Sequence, residues 1–210
     1  MNRWFDHIPF ISKYVPGKIV LSFLMLVLSV VLGIVFKTYD RAICICAMLF
    51  SFIGDYELNH YPKKGEDHKR NFIKGGVFFI AAHLSYFFAY SLKIYKNNLE
   101  WFNGGTVFAL CILALVVLVF MSRIKEVENK KLFYYGLIYL LLTGINYEVV
   151  FTYSVSVKSI ESLAMMGGIL FLGSDIIIGF ERFLGLKSKL CRELVWWFYP
   201  IGQILLICMA

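Results

Sequence analysis

Apolar residues run in long stretches along this chain, and polar residues gather in the short breaks between them. Cutting at the charged breaks leaves seven runs: 19–36, 42–58, 72–92, 104–122, 132–151, 163–180 and 194–210. Each is about 17–21 residues long, enough for a helix rising ~1.5 Å per residue to cross a hydrocarbon core of about 30 Å. The pattern predicts an all-α, polytopic bundle of about seven spans, forming one membrane domain over residues 1–210. No tandem repeat, linker or low-complexity tract interrupts it. The most polar stretch, 60–71, reads as a solvated loop of mixed charge.

The breaks carry a second pattern. Of the 21 Lys and Arg, 16 fall at one set of alternate breaks and 5 (Lys37, Arg41, Lys93, Lys96 and Lys158) at the other. By the positive-inside rule this puts the N-terminus in the cytoplasm and the C-terminus outside, an alternation that an odd number of spans preserves. The stretch ahead of the first run carries Arg3, Asp6, His7 and Lys13 with no small-residue cleavage site after it. The first span is therefore expected to be retained.

Composition agrees with the pattern. Of 210 residues, 60% are hydrophobic and 17% charged, and the mean hydropathy is +0.71. A soluble domain of this length has no interior large enough for so much apolar surface. The net charge of +7 would suit nucleic acid, but the basic residues sit in short inter-span breaks, so no nucleic-acid partner is expected. The five cysteines (Cys44, Cys46, Cys111, Cys191, Cys208) form neither a disulfide framework nor a metal motif and read as free, packed thiols. Glycines cluster in the third and sixth runs (Gly75, Gly76, Gly167, Gly168, Gly173, Gly179), where small residues let helix backbones approach.

Polar groups inside the runs are the informative exceptions, because an acid at the bilayer centre costs about 2.5–3.5 kcal/mol on insertion scales. Asp55, His83, Asp175, Tyr199 and Gln203 stand out. Counting helical rise from the run ends places all five within a band roughly 10 Å thick in the cytoplasmic half. Ser51 and Asp55 are four apart, His83 and Tyr86 three apart, and Tyr199 and Gln203 four apart, so each span turns one polar face to its neighbours. Pro200 removes a backbone hydrogen bond beside that band. Taken singly, a membrane histidine, tyrosine or glutamine is commonly a hydrogen-bond donor between helices. Two aspartates at one depth point instead to a shared cavity with a function. Lys18, at the mouth of the first run, suits either a lipid phosphate or simple snorkelling. Glu148 falls near the far end of the fifth run and has no assigned role.

Four segments, in order, carry a family resemblance. They are Ser51-Phe52-Ile53-Gly54-Asp55, the run from Phe72 through Gly75-Gly76 to Ala82-His83-Leu84-Ser85-Tyr86, Gly173-Ser174-Asp175, and Tyr199-Pro200-Ile201-Gly202-Gln203. Together they resemble the lysoplasmalogenase (YhhN-type) family of integral membrane proteins over nearly the whole chain. Members often have an extra N-terminal span before the lysine that matches Lys18, and a proline after that lysine. Here only a short polar stretch precedes Lys18, and Pro16 comes two residues before it.

The resemblance implies hydrolysis of the vinyl-ether bond of a lysoplasmalogen to a fatty aldehyde and glycerophosphoethanolamine or glycerophosphocholine. Asp55, Asp175 and His83 would be catalytic, with Lys18, Ser51, Tyr86, Ser174, Tyr199 and Gln203 around the substrate. The residues suit such chemistry. Vinyl ethers hydrolyse by protonation of an alkene carbon and capture of the oxocarbenium ion by water, and two carboxyl groups can divide those roles as they do in glycosidases. No cofactor or metal is called for, and the partners expected are a lysophospholipid and the surrounding lipids. One rival is a metal-dependent hydrolase of ceramidase type, which wants about three converging His or Asp ligands, whereas of the four histidines only His83 lies within a run. Another is a proton-coupled or lipid transporter, whose internal repeats are missing here. The compact size points to a bacterial plasma membrane.

Overall fold

A computed structural model of the protein describes residues 15–59, 66–127, 129–185 and 188–210. The readings made on Arg3, Asp6, His7 and Lys13, and on Lys63, Lys64 and Lys187 among the basic residues, lie outside those residues. Among the described residues there are seven α-helices: α1 (Val15–Phe36), α2 (Tyr39–Asn59), α3 (Glu66–Lys96), α4 (Gly104–Ser122), α5 (Lys130–Ser156), α6 (Ala164–Phe183) and α7 (Lys189–Met209). Short 3-10 turns at Ile124–Glu126 and Ile160–Leu163 precede α5 and α6. The protein is thus an all-helical membrane bundle of about seven spans.

Six of the helices are long and apolar enough to cross a bilayer on length and composition alone. The seventh, α2, matches them in length at 21 residues but carries Asp40, Arg41, Asp55 and Glu57. Asp40, Arg41 and Asp55 find partners on other helices of the bundle, as a membrane interior requires.

Two boundaries depart from the sequence reading. The polar stretch 60–71 is not all loop, because α3 starts at Glu66 and the helical backbone runs on through Arg70 and Asn71. The fifth run was cut at residue 151, but α5 continues to Ser156. Asn146 therefore sits inside the helix rather than near its end. Caps account for several starts: Asn103 accepts from Gly105 and Thr106 in a capping box, and Asn129 and Ser188 accept from Leu132 and Leu190.

Packing arranges six helices as a closed ring, in the order α1, α2, α3, α5, α6, α7 and back to α1. The fourth helix lies outside the ring against α5, and its apolar residues Leu110, Leu115 and Leu118 remain on the outer surface. Glycine sets the spacing at α6 against α7. A methyl at Gly167 would sit 3.0 Å from Gly202 O and 3.1 Å from Leu206 N, so both backbones would have to move apart. All five cysteines are free thiols, as expected, but only Cys44 is buried, while Cys46 and Cys111 face outward.

At the end where α7 finishes, its last carbonyls are satisfied by side chains of other helices. Tyr90 donates to Leu206 O at 2.9 Å, Arg41 to Ile207 O and, at 2.9 Å, to Cys208 O, and Lys93 to Met209 O at 2.8 Å. Two cations at a helix C-terminus also face the negative end of its dipole. Lys93 further pairs with Glu161 at 3.2 Å, and Lys96 with Asp40 at 2.6 Å. This end is stitched shut.

Two outcomes follow from this packing. Gly167→Ala is expected to lower the thermal midpoint of the purified protein, by about 1–3 kcal/mol of overpacking. Gly76→Ala should leave that midpoint unchanged or raise it, since nothing lies within 4 Å of the added carbon. For orientation, the 16-to-5 division of basic residues predicts that in a cysteine-free background Glu100→Cys labels with an impermeant thiol reagent outside intact cells, and Lys125→Cys does not. The reverse labelling would invert the bundle.

Candidate active site

The first aspartate, Asp55, is fully buried, and two other helices supply its partners. From α1, Lys18 Nζ lies 3.4 Å from Oδ1, and Ser22 Oγ, one turn further along, donates to Oδ2. From α7, Tyr199 OH donates to Oδ2 at 2.7 Å. The Lys18 ammonium also stands 5.5 Å from the centre of the Tyr199 ring, which gives the cation a π face beside its carboxylate. Lys18 remains 23% exposed while Asp55 is 1% exposed, so the lysine links the buried charge to the rim.

Asp175 is held by a different set. Tyr147 OH at 3.0 Å, Tyr139 OH at 3.2 Å and His83 Nε2 at 3.4 Å all converge on Oδ2. The other oxygen, Oδ1, makes no hydrogen bond among the described residues. On the far side of the imidazole, Asn146 Nδ2 lies 3.1 Å from Nδ1. With the amide donating to Nδ1, the ring proton sits on Nε2 and points at Asp175. The ring is further fixed by stacking on Phe171, centroids 4.6 Å apart. Histidine, asparagine and two tyrosines from α3 and α5 thus orient one carboxylate on α6.

The two clusters meet on one cavity of about 170 Å³, whose walls include Lys18, Asp55, Tyr139, Asp175 and Tyr199. The rest of its wall is almost wholly aliphatic and aromatic, with Phe79 packed edge-on to Tyr199 at 6.0 Å. Phe171 bridges the clusters behind this wall, 5.5 Å from the Tyr199 ring and in contact with His83. A space with two carboxyl groups, one ammonium and otherwise apolar walls suits an amphiphile that carries a single reactive polar junction.

Several residues singled out in the sequence take other places. Ser51, Tyr86 and Gln203 are fully buried and bonded to one another: Gln203 Nε2 to Ser51 Oγ at 3.0 Å, and Tyr86 OH to Gln203 Oε1 at 2.6 Å. They stand one turn from Asp55 and Tyr199, off the cavity wall, and tie α2, α3 and α7 together. Ser174 donates to the carbonyl of Phe171 in its own helix. The polar atoms of these four are thus bonded within the bundle, and none of the four lines the cavity. His83 likewise does not line the cavity and meets it through its contact with Asp175. Glu148 accepts from Thr152 at 3.1 Å, a turn away on its own helix.

Sequence reasoning missed Ser22, Tyr139, Asn146 and Tyr147. For the last three a signal was present: 139 and 146 are seven apart and share a helix face, with 147 beside them. Among the described residues, no three His, Cys, Asp or Glu side chains gather as metal ligands would.

Comparison with known proteins adds one finding. Neither a search of curated proteins nor one of solved structures returns a match. Residues 17–209 match the model of the YhhN family, which takes in Lys18 at one end, all seven helices, and both aspartate clusters. On that match over nearly its whole length, this chain belongs to the YhhN family, the lysoplasmalogenase family of integral membrane proteins.

Proposed function

We propose that the protein hydrolyses the vinyl-ether bond of lysoplasmalogens, releasing a fatty aldehyde and a glycerophospho-headgroup. The observation that carries this reading is the pair of carboxyl groups, Asp55 and Asp175, set on one largely apolar cavity by separate sets of partners. Family membership supports the same substrate class.

The partners divide the roles. Asp55, beside the ammonium of Lys18, serves as the base; Asp175, held through Oδ2 by two phenol hydroxyls and His83, serves as the acid and delivers its proton from Oδ1. In the first step Asp175 gives that proton to the alkene carbon remote from oxygen, leaving an oxocarbenium ion at the carbon bonded to oxygen. Asp55 takes a proton from water as the water oxygen bonds to that cationic carbon, forming a hemiacetal. In the second step the hemiacetal hydroxyl returns a proton to Asp175 as the carbon–oxygen bond to glycerol breaks. Asp55 then protonates the departing glycerol oxygen. Both residues end as they began, and one water has been consumed. The same exchange of acid and base roles between two carboxyl groups operates on the related cation of glycoside hydrolysis. Lys18, at the rim, is placed to hold the substrate phosphate as well as Asp55.

The test is aldehyde release from 1-alkenyl lysophosphoethanolamine and lysophosphocholine by purified protein. Asp55→Asn and Asp175→Asn should each lose activity by about 10²–10⁴-fold while the protein stays folded, because asparagine keeps the shape without the exchangeable carboxyl proton. A chelator should leave the wild type fully active. Near-wild-type turnover in both variants would sink the carboxylate pair. His83→Gln should cost less than either, since it orients Asp175 without touching substrate. Lys18→Ala should raise KM more than it lowers kcat.

A further inference from the structure

The cavity that joins the two aspartates opens sideways. The helices α3 and α5 run parallel and in register. His83 and Asn146, 63 residues apart, meet at one height, and Tyr90 and Tyr153 keep the same offset with their rings 5.5 Å apart. Carried back toward the helix starts, that offset sets Gly76 level with Tyr139, and Ile73 level with Gly136. Over this stretch the cavity takes its walls from both helices, from Ile73, Gly76 and Val77 on one side and Tyr135, Ile138 and Tyr139 on the other.

Four of these six also belong to the outer surface. Ile73 is 37% exposed, Val77 58%, Tyr135 46% and Ile138 53%. A side chain that is both cavity wall and outer surface marks the edge of an opening, and here both edges are marked. Gly76 stands in the gap itself, since a carbon built on it would meet nothing within 4 Å.

The setting of this window identifies what passes through it. Its jambs are apolar apart from the Tyr135 hydroxyl, and they lie roughly 7–17 Å along their helices from the helix starts, within reach of hydrocarbon. Lys74, the next residue after Ile73, is exposed and long enough to reach the headgroup region. Behind the window the wall changes character to Lys18, Asp55, Asp175 and Tyr199. Apolar at the bilayer side and charged within, the passage fits an amphiphile with one hydrocarbon chain and an anionic head.

We propose that the gap between α3 and α5 is a lateral portal through which a single-chain phospholipid enters from the bilayer. The phosphate end passes to Lys18, and the chain lies across Ile73, Val77, Tyr135 and Ile138. This proposal rests on the lipid reading of the site, and it adds the route and the placement of the chain. It also accounts for the stitching at the other end of the bundle, where Arg41 and Lys93 hold α7 closed: the lipid has its door in the side wall instead.

The experiment uses the full chain in phosphatidylcholine vesicles. The probe is a saturated 1-alkyl-ether lysophosphocholine with a diazirine halfway along its chain, which cannot be hydrolysed at a vinyl ether. After illumination, adducts should concentrate on residues 73–80 and 135–139, and excess unlabelled alkyl-ether lysophosphocholine should remove them. Gly76→Trp should abolish these adducts. Val77→Trp, already at the surface, serves the same purpose if the first variant does not fold. Adducts spread over the outward faces of α1 and α4, with no competition, would overturn the portal. So would unchanged adducts in folded tryptophan variants. Competed adducts at the window without aldehyde release from a vinyl-ether lipid would uphold the route while removing the proposed reaction, so the two failures are distinct.

Discussion

A carboxylate placed inside a hydrocarbon slab has to bring its partners with it, and Asp55 gathers them from two other helices. Lys18 and Ser22 come from α1, and Tyr199 from α7. These contacts join the first, second and last helices of the ring, closing it where chain order alone would leave it open. One turn away, Ser51, Tyr86 and Gln203 repeat the arrangement with neutral groups and bring in α3. The second aspartate does the same for the other half, drawing α3 and α5 onto α6. Polar groups that would oppose insertion one by one become, when paired, the specific contacts of a bundle whose remaining surface packs without direction.

The two ends of the bundle are built differently, and the difference bears on function. At one end Tyr90, Arg41 and Lys93 satisfy the last carbonyls of α7 and pin that helix in place. Tyr199 and Gln203 lie on the same helix, so pinning its end also fixes the heights of the groups that hold Asp55 and Ser51. At the other end Gly76 and the surface-exposed side chains beside it form the proposed portal. Rigid support on one side and access on the other is what a site needs when its substrate is itself part of the solvent.

Much of this was legible in the chain because the bilayer makes polarity expensive. Asp55, His83, Asp175, Tyr199 and Gln203 announced themselves by lying within apolar runs, and counting helical rise placed them at one depth. The structure brings four of the five into two clusters on one cavity and sets Gln203 one turn away, bonded to Ser51 and Tyr86. What the count could not supply was pairing. Ser51, Tyr86 and Gln203 satisfy one another, which is a matter of how helices rotate and neighbour in the ring. The residues missed on α5 have a more local explanation. Cutting that run at 151 pushed Asn146 toward a helix end, where polar residues are ordinary, although α5 in fact runs to Ser156. Ser22 was silent for another reason: a serine in a transmembrane helix usually bonds its own backbone, and only the position of Asp55 makes this one different.

The account turns on both carboxyl groups reaching the same bond of one bound lipid. An experimental structure of the protein with a saturated 1-alkyl-ether lysophosphoethanolamine tests this directly. The first two chain carbons should lie between Asp55 and Asp175, with Asp175 Oδ1 within about 4 Å of the second carbon and a water within about 3 Å of Asp55. The phosphate should lie at Lys18. A lipid bound with its ether oxygen out of reach of either aspartate would contradict the account, as would two carboxyls opening into separate spaces.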